Sequence, residues 1–254
     1  NATFHPDGQW MAASTSAGVV MVPVAGDRIF AESQHQFRGV ALDPNGQWLV
    51  ALLNGGGLVR WSLSPDNGVP PREEITLPKG YGFSADPRGR FCLVGTMMGA
   101  FIVDMETHAY EKIEEFDKAV FAVAVSPDGR KMAIGGGQAS PDESVVRVWD
   151  VDTDEVIAEY RPRGAGAWDI ISAVGFVSED ELLVASHDRT VDVPEGGRLE
   201  LWNFTRADSR LLWEENVIQL SVSADGQQAV LVDWLSGTAL KGPVSILDIP
   251  TGRV

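Results

Sequence analysis

"VAVSPDGRKMAIGGG", residues 123–137, sets an apolar run, a Pro-Asp-Gly turn and a second apolar run side by side. Glycine after aspartate suits a tight turn, because it enters the left-handed backbone region that other residues adopt at a cost. The phrase reads as a hairpin. It returns as "TFHPDGQWMAAST" (3–15), "ALDPNGQWLVALL" (41–53), "SADPRGRFCLVGT" (84–96) and "SVSADGQQAVLVD" (221–233). The turn glycines are Gly8, Gly46, Gly89, Gly129 and Gly226, and "FVSEDELLVAS" (176–186) puts Asp180 in the same slot. A phrase that recurs about every forty residues marks a repeat architecture.

Each copy carries two more runs. A third strand follows a loop: "VVMVPV", "LVRWSL", "AFIVDM", "VVRVWDV", "LELWNF" and "VSILDI". A more polar fourth follows a turn, as in "REEITLP" (72–78) and "VIAEYRP" (156–162). In the hairpin strands apolar residues succeed one another, so both faces should be covered. One small sheet cannot cover both of its own faces, whereas sheets stacked radially cover each other. The expectation is an all-β chain, a β-propeller of six recognisable four-stranded antiparallel blades, the last incomplete at its C-terminal end. It reads as a single domain over residues 1–254, with units of about 1–38, 39–81, 82–120, 121–172, 173–216 and 217–254.

"SPDGRKMAIGG" followed by "VVRVWD" resembles a unit of the WD-repeat family, with Trp149 and Asp150 as the name-giving dipeptide. The resemblance covers essentially the whole chain. Its equivalents are Val22-Pro23, Trp61-Ser62, Val103-Asp104, Trp202-Asn203 and Leu247-Asp248, and the Gly-His pairs of the family are missing. The resemblance implies a non-catalytic scaffold or sensor that holds a protein or peptide, often as one module of a longer protein. In that family an N-terminal strand commonly completes the last blade. Asn1 here opens inside a strand and "PTGRV" stops before a fourth, so the chain reads as a portion of something longer, with other domains of that chain as further partners.

Composition narrows the partners. The chain has 254 residues and a formal charge of −16, which opposes a phosphate-binding surface and docking on anionic lipid. Neither nucleic acid nor membrane is expected as a partner; a basic partner is the sharper reading of the acidity. No run of about 18 apolar residues occurs. One cysteine, Cys92 in the apolar "RFCLVG", is expected in the core, and with no visible signal peptide it favours a reducing, cytoplasmic setting.

The loop between second and third strands is short in the first three units and long in the last three: "GGQASPDES" (136–144), "SHDRTVDVPEGG" (186–197) and "DWLSGTALKGP" (233–243). The joining loop "RPRGAGAWD" (161–169) belongs to the same sector. Elaborated loops on a rigid scaffold carry binding residues. The partner-binding candidates are therefore Trp168, Asp169, His187, Asp188, Arg189 and Trp234. Trp61, Trp149 and Trp202, at the periodic strand position, read as core.

Catalytic and metal sites do not emerge. "DVDTDEV" (150–156) starts like a calcium loop, but Glu155 stands where the loop needs glycine and Arg161 where it needs glutamate, so it reads as a hairpin turn. His5, His35, His108 and His187 fall in separate segments, and no ring of His or Glu recurs. No catalytic residue, metal or cofactor is expected. The competing expectation is a lactonase-like propeller hydrolase or small-ligand binder working through the central channel.

Overall fold

The computed structural model describes residues 2–4, 10–15, 18–23, 30–32, 35–43, 45–63, 72–114, 116–136, 144–162, 169–188, 197–233 and 244–254. No helix occurs among them. Their strands form six antiparallel sheets, five of four strands and one of three, each in simple chain order. The fold is an all-β propeller with these sheets as blades. The chain divides into two compact units, Asn1–Glu115 and Phe116–Val254.

The first unit holds three sheets. The first is β1 (Ala2–Phe4), β2 (Trp10–Thr15), β3 (Gly18–Pro23) and β4 (Phe30–Glu32). The second is β5 (Phe37–Leu42), β6 (Trp48–Leu53), β7 (Leu58–Ser62) and β8 (Arg72–Ile75). The third is β9 (Gly80–Ala85), β10 (Phe91–Thr96), β11 (Gly99–Asp104) and β12 (Tyr110–Ile113). The N-terminal strand pairs with β2 inside its own sheet, Thr3 opposite Ala12. The first strands of successive sheets are neighbours, β1 with β5 and β5 with β9.

The second unit repeats the scheme. Its sheets are β13 (Val120–Val125), β14 (Lys131–Gly136), β15 (Val146–Asp150) and β16 (Glu155–Tyr160), then β17 (Asp169–Phe176), β18 (Glu181–Asp188), β19 (Arg198–Asn203) and β20 (Asp208–Trp213). The last is β21 (Val217–Val222), β22 (Gln228–Asp233) and β23 (Val244–Asp248), three strands among the described residues. Here β17 lies between β13 and β21.

Cores form between sheets, not within them. Met21, Val40 and Trp61 share a cluster between the first two sheets, and Leu52, Val94 and Val103 one between the next two. In the second unit Val148, Val184 and Trp202 join the fourth and fifth sheets, while Leu183, Leu199 and Leu231 join the fifth and sixth. Strand β10 is buried at all six positions, as continuous apolar patterning requires when both faces are covered. Trp61, Trp149 and Trp202 are all buried, and each meets an aromatic ring: Phe37, Phe116 and Tyr160, with centroids 5.7, 5.5 and 4.9 Å away. Each contributes on the order of 2–3 kcal/mol by burial. Cys92 is buried too, its Sγ donating to Met105 Sδ, and burial, then the Asp86 charge, pushes its thiol up to about 12.

The recurring hairpin is closed by glycine. Gly46, Gly89, Gly129 and Gly226 have φ of 68, 75, 66 and 68°, and each N–H donates to the carbonyl of Asp43, Asp86, Ser126 or Ser223 at 2.8–2.9 Å. A side chain at the turn's first position then locks the far strand: Asp43 Oδ1 accepts Trp48 N–H at 2.7 Å, and Ser126 Oγ accepts Lys131 N–H at 2.8 Å. An aspartate at the position of Asp150 in the Trp149-Asp150 dipeptide ends its strand similarly in three sheets. Asp104 and Asp150 Oδ1 each accept N–H groups from the turn that follows, and Asp248 Oδ1 accepts the Thr251 hydroxyl and then the Thr251 N–H. Those bonds hold all three carboxyls below the usual aspartate value. "DVDTDEV" is therefore the β15–β16 turn.

Candidate functional site

The long-loop end of the fifth and sixth sheets is built by an extended strand pair. Strands β17 and β18 pair as far as Asp169 opposite Asp188 and Ile170 opposite His187. A bulge between Ile171 and Ala173 lets the ladder continue past its irregularity. Ser172, the extra residue, turns its Oγ to within 2.5 Å of Val217 O on β21 and 3.3 Å of Ala185 O on β18. This hydroxyl ties the opening of the sixth sheet to the fifth. Counting from the turn markers put Asp169, His187 and Asp188 in the elaborated loops; the structure puts all three on strand ends.

Alternation along the strands fixes which way the ends face. Leu183 and Ala185 pack against the sixth sheet, so His187, two residues on, lies on that side of β18. Ala229 and Leu231 pack against the fifth sheet, so Asp233 lies on the facing side of β22. The seam between these sheets thus changes, at one end, from aliphatic core to imidazole and carboxylate. Both are well buried, each 9% exposed.

Gly197 brings the chain before β21 into the same corner. A Cβ placed there would lie 2.3 Å from Glu215 O and 2.4 Å from Asn216 N, so only glycine lets the start of β19 pass that backbone. Glu215 stands exposed at the rim. Asp233 Oδ1 is buried and has no hydrogen-bond partner among the described residues. Desolvation first, and then the Glu215 charge, raise the Asp233 carboxyl above the usual aspartate value.

Of the six residues singled out by sequence, only His187 has a described side chain here. Asp169 and Asp188 are cross-strand partners with described backbone, whereas Trp168, Arg189 and Trp234 lie outside the described residues. Asp233 and Glu215 were not singled out. The signal for Asp233 was its place: it opens the long loop "DWLSGTALKGP" at a strand slot that reads Leu53, Thr96, Gly136 and Ser186 in other units.

A second concavity, of about 340 Å3, lies in the first unit between the second and third sheets, lined by Trp48, Arg60, Asp86 and Arg88 among others. Its charges are spoken for. Arg60 stacks on Trp48 at 3.8 Å, donates to Glu73 at 2.7 and 3.0 Å and to Met105 O, and Asp86 pairs with Arg90 at 2.7 Å. Such satisfied groups hold sheets together. Among the described residues no group of three or more His, Cys, Asp or Glu could hold a metal ion. Against known proteins, neither a family model nor a curated sequence matches the chain.

Proposed function

We propose that this protein is a non-catalytic interaction module of WD-repeat type, a cytoplasmic scaffold or sensor that presents the long-loop end of its fourth to sixth sheets to a protein or peptide. The observation that carries this reading is the contrast at the ends of the sheets. Residues 97–98 suffice between β10 and β11, whereas 189–197 and 234–243 intervene in the fifth and sixth sheets. The seam between the fifth and sixth sheets ends in His187 and Asp233, polar groups that a purely structural end does not need.

Binding hot spots are enriched in tryptophan, and the sector carries Trp168 and Trp234. Affinity capture from cell extract tests the reading. With Trp168→Ala or Trp234→Ala, retention of a captured partner is expected to fall about tenfold or more. Capture unchanged by both substitutions sinks the assignment of this sector.

A further inference from the structure

The Asp233 carboxylate is the least explained polar group of the second unit. It ends β22 on the side facing the fifth sheet, 9% exposed, with a buried oxygen that accepts no hydrogen bond from the described residues. Buried carboxylates are ordinarily paired or hydrogen-bonded, because desolvation costs several kcal/mol otherwise. Nothing in the fold requires an acid there, since the same slot is filled by Leu53, Thr96, Gly136 and Ser186 in other sheets. A second carboxylate, Glu215, stands at the rim close enough to raise the Asp233 carboxyl. Among the described residues no cation forms an ion pair with either. Among the described residues, then, the corner holds two acidic groups with no cation paired to them, one buried and one at the rim, in a chain of net charge −16.

We propose that this corner receives one basic side chain, a lysine or arginine of the peptide partner, taken between the Asp233 and Glu215 carboxylates. This rests on the reading of the long-loop end as the interaction face. Two carboxylates suit an ammonium or a guanidinium, which needs only charge-assisted hydrogen bonds to their oxygens. A divalent metal is the poorer fit, since it demands more protein ligands in a fixed geometry. Glu215, exposed, meets the incoming charge first; Asp233, more deeply buried, receives it where solvent screens the pairing less.

The test is selection of displayed random peptides on the intact chain, followed by binding of the synthesised winners to wild type, Asp233→Asn and Glu215→Gln. The expected result is a lysine or arginine at one fixed position of the winners. Affinity should fall about tenfold or more with Asp233→Asn and less with Glu215→Gln. Replacing that basic residue by norleucine should cost wild type as much and Asp233→Asn little. Both protein variants are close in shape to wild type, and thermal melts certify their folds; should Asp233→Asn fail to fold, Glu215→Gln and the norleucine peptide carry the test. Winners without a basic residue, or basic winners indifferent to both substitutions, overturn the cation receptor and leave the interaction module standing. Winners that bind only with added Zn2+ also overturn it. A selection that enriches nothing overturns both.

Discussion

Thr96 and Asp233 occupy the same slot, the last residue of a second strand, in the third and the sixth sheet. Thr96 is fully buried, and its hydroxyl donates to Gly99 O at 2.9 Å and accepts Met98 N–H at 3.0 Å. The turn is closed on itself, with Gly99 at a φ of 123°. Asp233 is almost as buried and makes no such bond. One sheet end consumes its polar capacity within four residues; the other leaves a buried carboxylate oxygen with no partner among the described residues. The difference separates an end that finishes a sheet from an end kept for something else.

Exchanging the chemistry is the hardest blow to this comparison. Thr96→Asp removes the donor to Gly99 O and buries a charge where the turn has no cation, so stability should fall by about 3 kcal/mol or more, read from urea unfolding. A loss below about 1 kcal/mol would mean that a buried acid is tolerated at any sheet end, and Asp233 would lose its distinction. Next in size is Gly197→Ala. Its Cβ would meet the Glu215 carbonyl oxygen at 2.3 Å, backbone against side chain, and relief requires moving the chain that carries Glu215. About 2 kcal/mol of stability should be lost, together with most of the affinity for a basic peptide. Unchanged stability would show that the corner is not as tightly set as the fifth and sixth sheets make it.

The fold was legible because its signals are local and repeated. A glycine at positive φ and an aspartate that captures the next N–H groups act within a few residues, so Gly89, Gly129, Asp104 and Asp150 announce their turns without knowledge of neighbours. Long loops were legible by counting. The polar corner was not. His187 read as a loop residue because strand pairing extends through a bulge at Ser172, whose hydroxyl is bound to a carbonyl 45 residues away. Asp233 read as the first residue of a loop, since its burial depends on which face of β22 meets another sheet. That is a fact of parity and packing across sheets, and no local pattern records it.

The smallest expected effect has the opposite sign. Asp233→Asn removes a charge that the folded state buries unpaired, so it should stabilise the free protein at neutral pH by about 1 kcal/mol while weakening its binding. The pH dependence makes this specific. Because the folded-state value of Asp233 is raised, the folded protein holds this proton more tightly than the unfolded chain does. Wild type therefore suffers no penalty from Asp233 below the ordinary aspartate value, loses stability as pH climbs from there through the raised value, and stays penalised above it. Asp104, Asp128, Asp150, Asp225 and Asp248 run the other way, their lowered values adding stability above the ordinary range that fades as the solution is acidified. They are common to both proteins and cancel in the difference. The gain from Asp233→Asn should thus vanish toward pH ~3 and grow to a plateau near neutrality. A gain independent of pH would trace the stabilisation to packing, and a loss at neutral pH would mean that Asp233 already has a cationic partner within the chain.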